Sequence, residues 1–517
     1  LVRSGAQATA LDAIEWATEA AVRGAGEVLL TSWDRDGTRS GYDLELTGAV
    51  VAAVSIPVIA SGGAAGPMDL LAALDAGADA VLAASIFHEG EFTVRSVKEF
   101  LGARGAEVGS RVPGPAPRSL QGEAGFTGSG EAPASADAQA SAAALLTADD
   151  VKAAMDLCLE CRACKAECPV GVDVARFKSE FLARYWGRYG TPLKARALGH
   201  VAELAAIASP VAPLANAIAR STPVRWLNEK LLGLDSRRLP PKWVRRTFEK
   251  QFRSRRATAR AVQAGLPGLP ALYVFRDTFT NHYAPSIGMA GVEVLEACGH
   301  AVNLAPNACC GRPLISQGLL DDARQRAAEN TARLYPLAEE GARFIVFEPS
   351  CLSAMKEDVP DLLRGEAQRR ARRVADACVL FESYLESFLA SVSAAGGESP
   401  LRLQAGPTKV LLHGHCHQKS MGQLPPAKAL LARIPGAAVV DLDAGCCGMA
   451  GSFGYTTDHY DVSKAIGERR LLPSARAMES TAVLVASGVS CRHQVEDFAD
   501  VRALHPAELL RRLLVTD

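Results

Sequence analysis

The residues of this chain that could carry chemistry are mainly its cysteines, of which there are 13 among 517 residues. Cys158, Cys161, Cys164 and Cys168 form a C-x2-C-x2-C-x3-C run that Pro169 follows. Thiolates at such close spacing can hold corners of one iron–sulfur cluster, because a short loop lets each sulfur point inward. A zinc knuckle is the alternative, but zinc sites rarely use this spacing. The run therefore indicates an iron–sulfur cluster.

The fourth cysteine of the run has no assigned cluster. In two-cluster ferredoxins that cysteine serves the other cluster, which has its own run. The sequence contains no second run of this kind, so Cys168 lacks an obvious role. We expect a [4Fe–4S] centre bound by Cys158, Cys161 and Cys164, with occupancy limited by the incomplete ligand set.

The second half of the chain contains an internal repeat. Three short motifs recur at nearly one offset, of 137 to 140 residues (446 − 309, 415 − 277 and 491 − 351). They are Cys309-Cys310-Gly311 with Cys446-Cys447-Gly448, Asp277-Thr278-Phe279 with His415-Cys416-His417, and Ser350-Cys351 with Ser490-Cys491. A shared offset indicates a duplicated unit.

The two repeats offer unequal ligand sets. The second repeat has four cysteines and the first has three: Cys416, Cys446, Cys447 and Cys491, against Cys309, Cys310 and Cys351. Thr278 stands where the fourth would be, and a hydroxyl is a poor ligand beside soft thiolates. We expect the second repeat to hold metal and the first to line the same cavity. The alternatives are one site shared by both repeats, or pairs of buried small apolar residues, an alternative with more weight for the first repeat than for the second.

Other candidate residues have a plainer interpretation. Cys298 and Cys378 lie in apolar stretches that we expect to be helical, so both are predicted core residues. Three histidines, His413, His415 and His417, alternate along the end of a predicted strand. We expect them to hydrogen-bond around Cys416, and proton or ligand chemistry near the cluster is the alternative.

The elements that position these residues alternate between helix and strand. In the first part we predict helices at 11–23, 44–54, 68–76 and 93–104, with strands at 26–32, 57–60 and 79–84. This alternation is typical of a parallel sheet or barrel. In the last part we predict strands at 271–275, 343–347, 409–413, 438–441 and 482–486, again with helices between them.

The expected fold class is therefore α/β, in four parts. Residues 1–110 are a half (β/α)8 barrel, and residues 111–147 are a flexible linker rich in Ala, Gly, Pro and Ser. Residues 148–268 are a helical, basic ferredoxin-like cluster domain, and residues 269–517 are the duplicated α/β domain. The chain starts at Leu1, already inside an apparent element, so we expect a fragment or a fusion whose start is missing.

Composition excludes some functions. Hydrophobic content of 48% with 22% charged residues is ordinary for a globular protein. The net charge of -1 shows no excess of basic residues of the kind that nucleic-acid-binding proteins use. The most apolar stretch, residues 201–218, contains Glu203, Pro210 and Pro213, so we expect no transmembrane segment. No signal peptide is evident, which makes a cytoplasmic setting the default.

Several long motifs between residues 149 and 516 look like one family. They include Asp156-Leu-Cys-Leu-Glu-Cys-Arg-Ala-Cys-Lys, Cys309-Cys-Gly-Arg-Pro-Leu, Glu348-Pro-Ser-Cys, His413-Gly-His-Cys-His-Gln-Lys and Cys446-Cys-Gly-Met-Ala-Gly-Ser-Phe-Gly. They resemble the cysteine-rich CCG module at the C-terminus of FAD-linked 2-hydroxyacid oxidoreductases. The iron–sulfur subunits of glycolate oxidase and glycerol-3-phosphate dehydrogenase are similar.

This resemblance implies a function. In that family a flavin domain oxidises a hydroxy acid and passes electrons through the clusters to an acceptor, often a quinone. The flavin domain is not in this sequence, so FAD is expected on a partner subunit or on a missing domain. The protein would be cytoplasmic, or attached peripherally at the inner face of the membrane.

The first part of the chain has a different signature. The segments Gly26-Glu-Val-Leu-Leu-Thr-Ser-Trp-Asp, Pro57-Val-Ile-Ala-Ser-Gly-Gly and Ala83-Ala-Ser-Ile-Phe-His resemble the cyclase subunit of imidazole glycerol phosphate synthase over residues 1–105. That enzyme is a (β/α)8 barrel of histidine biosynthesis, and the match covers the second half of the barrel. Glycine turns after strands expose backbone N–H groups to phosphate. The resemblance assigns a phosphate-containing ligand to six residues: Asp36, Gly37, Gly62, Gly63, Ala84 and Ser85.

These observations favour an iron–sulfur electron-transfer component of a flavin-linked dehydrogenase, fused to a cyclase-like half-barrel. The family's catalytic aspartates lie on strands upstream of Leu1, so no cyclisation by this chain alone is expected, and its catalytic residues are unassigned. One alternative is a cyclase-family lyase of histidine biosynthesis with a redox appendage. The other is a structural module whose cysteines bind zinc.

Overall fold

A computed structural model describes residues 11–88, 91–106, 108, 147–168, 171–258 and 269–515. The chain divides into two compact units, residues 1–137 and residues 138–517. Of the predicted linker only Thr147 is described, so the expected flexibility of residues 111–146 lies outside the described residues. Pro169 also lies outside them.

The first unit is a parallel sheet with helices between its strands. Its strands, in the order β1-β2-β3, are β1 (Val28–Thr31), β2 (Val58–Ser61) and β3 (Ala80–Leu82). Its helices are Ala13–Val22, Leu44–Ala53, Pro67–Asp75, Ser85–His88 and Val94–Gly102. Each of these elements lies within a few residues of its predicted bounds, except Ser85–His88, which was not predicted.

Local chemistry explains where these helices begin. The side chains of Asp12, Asp43 and Thr93 accept hydrogen bonds from backbone N–H groups of the first turn. Such N-caps satisfy donors that have no partner inside the helix. Asp69 performs the reciprocal role, because its carboxylate accepts from the backbone of Ala65 and Gly66.

The second unit opens with a helical region. Its helices are Ala148–Asp156, Ala163–Glu167, Val174–Tyr189, Leu193–Gly199, Val201–Ala208, Ala212–Arg220, Thr222–Leu232 and Phe248–Thr258, with a 3-10 turn at Ser209–Val211. Prolines mark several boundaries, since a proline fits the first turn of a helix and not its interior. Among the described residues, Val201–Ala219 is the one helical stretch long and apolar enough to cross a membrane, which by itself is weak evidence.

The remainder of the second unit contains two parallel sheets. One has the order β5-β4-β6-β7 and the other β10-β8-β9. The strands are β4 (Leu272–Val274), β5 (Val302–Leu304), β6 (Arg343–Val346), β7 (Cys378–Leu380), β8 (Lys409–His413), β9 (Ala438–Asp441) and β10 (Ala482–Ala486). In both sheets the first strand of the repeat is central, between the second and the third, so one topology occurs twice.

Helices connect these strands. They are Thr278–His282, Pro285–Ala297, Arg312–Ser316, Leu320–Glu339, Pro349–Ser353, Val359–Leu362, Gly365–Ala377, Phe381–Ala394, Cys416–Ser420, Leu424–Leu431, Tyr460–Glu468, Leu471–Arg476, Val489–Ala499 and Pro506–Leu513, with one π-helical turn at Ala354–Asp358 and a 3-10 turn at Phe453–Tyr455. Val274 of β4 and Leu412 of β8 belong to the same buried apolar cluster, so the two sheets share one core.

Two short strands, β5 and β7, were not predicted. Strand β7 follows helix Gly365–Ala377 and precedes helix Phe381–Ala394 with no intervening turn residues. Without Gly or Pro punctuation the sequence continues a helical pattern. The expectation that Cys378 is helical is therefore wrong, since it begins β7, and Cys298 lies just past the end of helix Pro285–Ala297. Both are buried, as expected of core residues.

Candidate metal centre

Two turns of the same shape present the paired cysteines. Gly311 follows Cys310 with a φ of 85°, and Gly448 follows Cys447 with a φ of 90°. Only glycine adopts this left-handed conformation without strain. A Cβ on Gly448 would also lie 2.2 Å from the backbone oxygen of Ser463. The glycine of each motif is thus required by the backbone turn.

The cysteines of the first repeat lie together. The Cys310 thiol donates to the Cys351 sulfur, 3.1 Å away. The neighbouring Cys310 and burial raise the pKa of Cys309 well above its usual range, and the Thr278 hydroxyl contacts that same thiol. Thr278 therefore occupies the place that the repeat pattern predicts for a fourth ligand.

The four cysteines of the second repeat form a chain of sulfur contacts. Cys446 contacts both Cys416 and Cys447, and Cys447 contacts Cys491. The neighbouring Cys446 thiol and burial raise the pKa of Cys416 above its usual range. Without a cation, buried thiols so close together stay protonated, because adjacent thiolates repel one another.

One cavity of about 470 Å³ collects these groups. Its lining includes cysteines of both repeats and the first cysteine of the loop run: Cys158, Cys309, Cys310, Cys351, Cys416, Cys446 and Cys447. The apolar remainder of the wall includes Leu182, Leu198 and Trp243. The tertiary fold thus brings cysteines that are far apart in sequence to one cavity.

The loop run lies against the second repeat. Helix Ala163–Glu167 packs on helix Cys416–Ser420. Burial, and the Cys416 thiol among its neighbours, raise the pKa of Cys161. Cys164 is exposed and Cys168 is partly buried. The cysteine loop therefore lies close to Cys416 of the second repeat.

A buried arginine attaches this loop to the first repeat. The side chain of Arg162 is 1% exposed and forms ion pairs with Glu357 and Asp358. It also donates to Ser353 Oγ at 2.9 Å and lies 3.9 Å from Asp173. Arg162 has a φ of 60°, a left-handed conformation that costs a non-glycine residue free energy and is held by these partners.

Glu348 joins the two repeats. One carboxylate oxygen accepts from the backbone N–H of Val489 at 2.8 Å, and the other accepts from Ser350 Oγ at 3.0 Å. His415 lies 3.8 Å from the same carboxylate. Neither Arg162 nor Glu348 was predicted as a site residue, because no spacing in the sequence signals the burial of a single charge.

The three histidines do not alternate along a strand as expected. His413 ends β8, His415 caps the next helix by accepting from the His417 backbone at 3.1 Å, and His417 lies inside that helix. Burial lowers the pKa of His413 to about 3, so its imidazole is neutral. Neither ring nitrogen of His413 has a hydrogen-bond partner among the described residues.

The donors fit an iron–sulfur centre. Soft thiolates prefer iron–sulfur clusters, zinc or Cu(I) over hard cations. The site combines buried cysteines in mutual contact with a neutral imidazole that has no hydrogen-bond partner among the described residues. In such a site a bound cation compensates the negative charge of the deprotonated thiols.

The residues assigned to phosphate lie at one edge of the first unit's sheet. Gly62 and Gly63, with φ of 92° and 97°, follow β2, and Asp36 and Gly37 follow β1. A Cβ on Gly63 would lie 2.3 Å from the Gly41 oxygen, so this turn admits only glycine. The other two residues, Ala84 and Ser85, follow β3.

Comparisons with known proteins separate the same two parts. The family model for the cysteine-rich domain matches residues 410–496, which include all four cysteines of the second repeat. The model for histidine biosynthesis proteins matches residues 1–93. Together with the fold, these matches define a cysteine-rich α/β protein with a histidine-biosynthesis-like segment before it.

The chain is 31% identical over 321 residues to one subunit of the anaerobic glycerol-3-phosphate dehydrogenase of Escherichia coli (strain K12). The alignment covers 61% of this chain and 76% of that relative, and the protein of Escherichia coli O157:H7 matches equally. The chain belongs to the family of this dehydrogenase subunit.

The first unit is 58% identical over 108 residues to the HisF subunit of imidazole glycerol phosphate synthase of Metallosphaera sedula. That alignment covers 21% of this chain and 43% of the relative. Both resemblances inferred from the sequence are confirmed.

Replacing Arg162 by Met should destabilise the second unit by about 3–5 kcal/mol, because the Asp173 carboxylate would be left buried without its cation and the Asp358 carboxylate would keep Arg312 but lose its nearer cation. Urea unfolding followed by circular dichroism measures the change. Arg176→Met is the matched control, since Arg176 pairs with Asp361 where both side chains are about half exposed, and it should cost no more than about 1 kcal/mol. Equal effects of the two substitutions would contradict the assigned role of Arg162.

Proposed function

We propose that residues 148–517 are the iron–sulfur electron-transfer module of a flavin-linked dehydrogenase acting on a 2-hydroxy acid or glycerol 3-phosphate. FAD would be carried by a partner subunit or domain. The observation that carries this proposal is the cavity lined by cysteines of the loop run and of both repeats. Membership in a family of dehydrogenase subunits supports it.

We assign two metal sites. A [4Fe–4S] centre would be held by Cys158, Cys161 and Cys164, and Cys168 is the remaining cysteine of that run. A second centre would be held by the four cysteines of the second repeat, Cys416, Cys446, Cys447 and Cys491. When bound, such centres accept and release single electrons at potentials that the surrounding protein sets. We assign the first-repeat cysteines, Cys309, Cys310 and Cys351, to the wall of the same cavity.

The surrounding residues would keep thiolates charged inside the protein. Lys178 donates to the backbone oxygen of Cys158 at 2.8 Å and pairs with Glu160. Arg312 contacts Glu160 and Asp358 and lines the cavity. The charge of Lys178 favours the thiolate form of Cys158, and the apolar wall excludes water.

A peripheral position on a membrane is supported by an exposed apolar face on the helices between residues 201 and 232. This face consists of Leu204, Ile207, Val211, Leu214, Ile218, Trp226, Leu227 and Leu231, all exposed. Ile207 is 74% exposed and Leu214 is 63% exposed. Contiguous apolar surface of this kind marks a membrane or protein contact.

Basic residues in the same helical region favour a membrane. Trp243 exchanges hydrogen bonds with Asn216 of helix Ala212–Arg220, so the segment that carries the exposed residues Lys242, Arg245 and Arg246 is attached to this helical region. Basic residues flanking an apolar surface suit anionic headgroups. Val201, which begins the helix that carries Leu204 and Ile207, lines the cavity, so a quinone dissolved in the membrane is the acceptor we propose.

For residues 1–110 we propose half of a (β/α)8 barrel that binds a phosphate-containing ligand. The turns at Asp36–Gly37, Gly62–Gly63 and Ala84–Ser85 follow the carboxyl ends of three adjacent parallel strands, which is where barrels of this class bind phosphate. The chain spans 43% of the HisF relative, so the proposal for these residues stops at binding.

Cys161→Ser tests the loop centre and its role. The substitution removes one of three assigned ligands, so iron and sulfide bound after anaerobic reconstitution should fall. Dithionite-reduced protein should then pass electrons to a water-soluble quinone more slowly. Cys298→Ser is the control, since that thiol is buried in the apolar core away from the cavity. Unchanged iron content in Cys161→Ser would overturn the assignment.

Single serine replacements at Cys447 and Cys310 test whether the repeats are unequal. These residues occupy equivalent places in the two Cys-Cys-Gly turns, so each is the control for the other. Loss of the electron paramagnetic resonance signal of the second centre is expected only for Cys447→Ser. Equal loss at both positions would mean that one site is shared by the repeats.

Membrane attachment is tested by replacing Ile207 and Leu214 with Glu. Because each buried side chain of this kind contributes about 1.5–3 kcal/mol, binding to vesicles of anionic phospholipid should fall at least about tenfold. Val462→Glu is the control, since Val462 is exposed on helix Tyr460–Glu468 and outside this face. Unchanged co-sedimentation of the double variant would contradict a membrane role for the face.

A further inference from the structure

One buried side chain next to the second repeat's cysteines has no structural explanation. His413 ends β8, is 1% exposed, and has no hydrogen-bond partner for either ring nitrogen among the described residues. Leaving a buried polar group unsatisfied costs about 1–3 kcal/mol, and such groups in folded proteins usually have an ion, a water or a catalytic role to account for them.

The position of the ring offers an explanation. A ring nitrogen of His413 and the sulfur atoms of Cys447 and Cys491 all lie within 4.8 Å of one another, and all three residues are buried. Donors on a single metal ion lie about 3.5–4 Å apart when metal–sulfur and metal–nitrogen bonds are about 2.0–2.3 Å long. The three atoms are therefore close enough to share one ion after small adjustments.

Comparison of the two repeats supports the same interpretation. At the offset that relates Thr278 to Cys416 (416 − 278 = 138), the residue equivalent to His413 is Phe275. Phe275 is fully buried in an apolar cluster, so a buried aromatic ring at this place needs no polar partner in the first repeat. The first repeat thus lacks both the fourth cysteine and the histidine, whereas the second repeat has both.

We propose that His413 is a ligand of the iron centre in the second repeat, beside the thiolates of Cys447 and Cys491. This inference rests on the proposed function, since it requires that the second repeat binds iron. An imidazole is a neutral ligand, so compared with a further anionic thiolate at the same place it leaves the centre less negatively charged. Histidine ligation raises the reduction potential of iron–sulfur centres for that reason. The centre of the second repeat would then accept electrons more readily than the loop centre at Cys158, Cys161 and Cys164.

Neighbouring histidines do not share these features. His415 is engaged as a helix cap through its Nδ1 atom. His417 is buried with an unpartnered Nδ1, yet it is not part of the group formed by His413 with Cys447 and Cys491. His417 is therefore a matched control for the burial of an imidazole without the proposed ligation.

The experiment uses the full chain, labelled with 15N-histidine, reconstituted anaerobically with iron and sulfide, and reduced with dithionite. Pulsed electron paramagnetic resonance should detect a directly coordinated 15N nucleus in the wild-type protein and in His417→Phe. The coupling should be absent from His413→Phe. This substitution introduces the residue that the first repeat has at the equivalent position, Phe275. His413→Cys should retain iron, lose the 15N coupling and titrate at a lower potential, because a thiolate replaces a neutral ligand.

The outcomes separate this inference from the function on which it rests. Wild-type protein that holds iron in the second repeat without a strong 15N coupling overturns the ligand assignment and leaves the electron-transfer proposal standing. A coupling lost in His417→Phe and kept in His413→Phe overturns it as well. If Cys447→Ser changes neither iron content nor any signal, the second repeat holds no iron, so the ligand assignment fails together with the proposed second centre, and Cys161→Ser decides the loop centre separately. The wild-type coupling and His413→Cys decide the question even when His413→Phe does not fold.

Discussion

The buried guanidinium of Arg162 is the interaction on which the site depends. It lies in the middle of the cysteine loop, and its partners Glu357, Asp358 and Ser353 belong to the first repeat. A charge so deeply buried is tolerated only with its partners in place, so the loop has one position on the second unit. That position places Cys158 at the cavity and Cys161 beside Cys416.

The duplicated unit supplies the other half of the geometry. Each repeat ends a central strand at a short helix and presents its paired cysteines on a left-handed glycine turn, Gly311 or Gly448. Strand ends of a parallel sheet gather at one edge, and the two sheets share one core, so cysteines of both repeats reach the same cavity. Divergence at Thr278 within this common frame makes the sites different without changing the fold.

Much of this arrangement was predictable from the sequence, and the failures have physical causes. Strands such as β8 and β10 are continuous apolar runs bounded by polar residues, so their positions were predicted correctly. Strand β7 was not, because three residues between two helices carry no periodicity of their own. The cysteine groups followed from spacing and from the repeat offset, whereas Arg162 and Glu348 are ordinary charged residues until the fold buries them.

The sequence by itself determined the kind of chemistry, since soft sulfur donors at close spacing and a repeated Cys-Cys-Gly motif have few uses other than binding a metal. It also determined the division between a histidine-biosynthesis-like segment and a cysteine-rich module. Only the tertiary structure decided which donors meet. Cys161 and Cys416, and likewise Arg162 and Asp358, are neighbours in space although they are 255 and 196 positions apart (416 − 161 and 358 − 162). Such proximity depends on how sheets and helices pack, which no local pattern encodes.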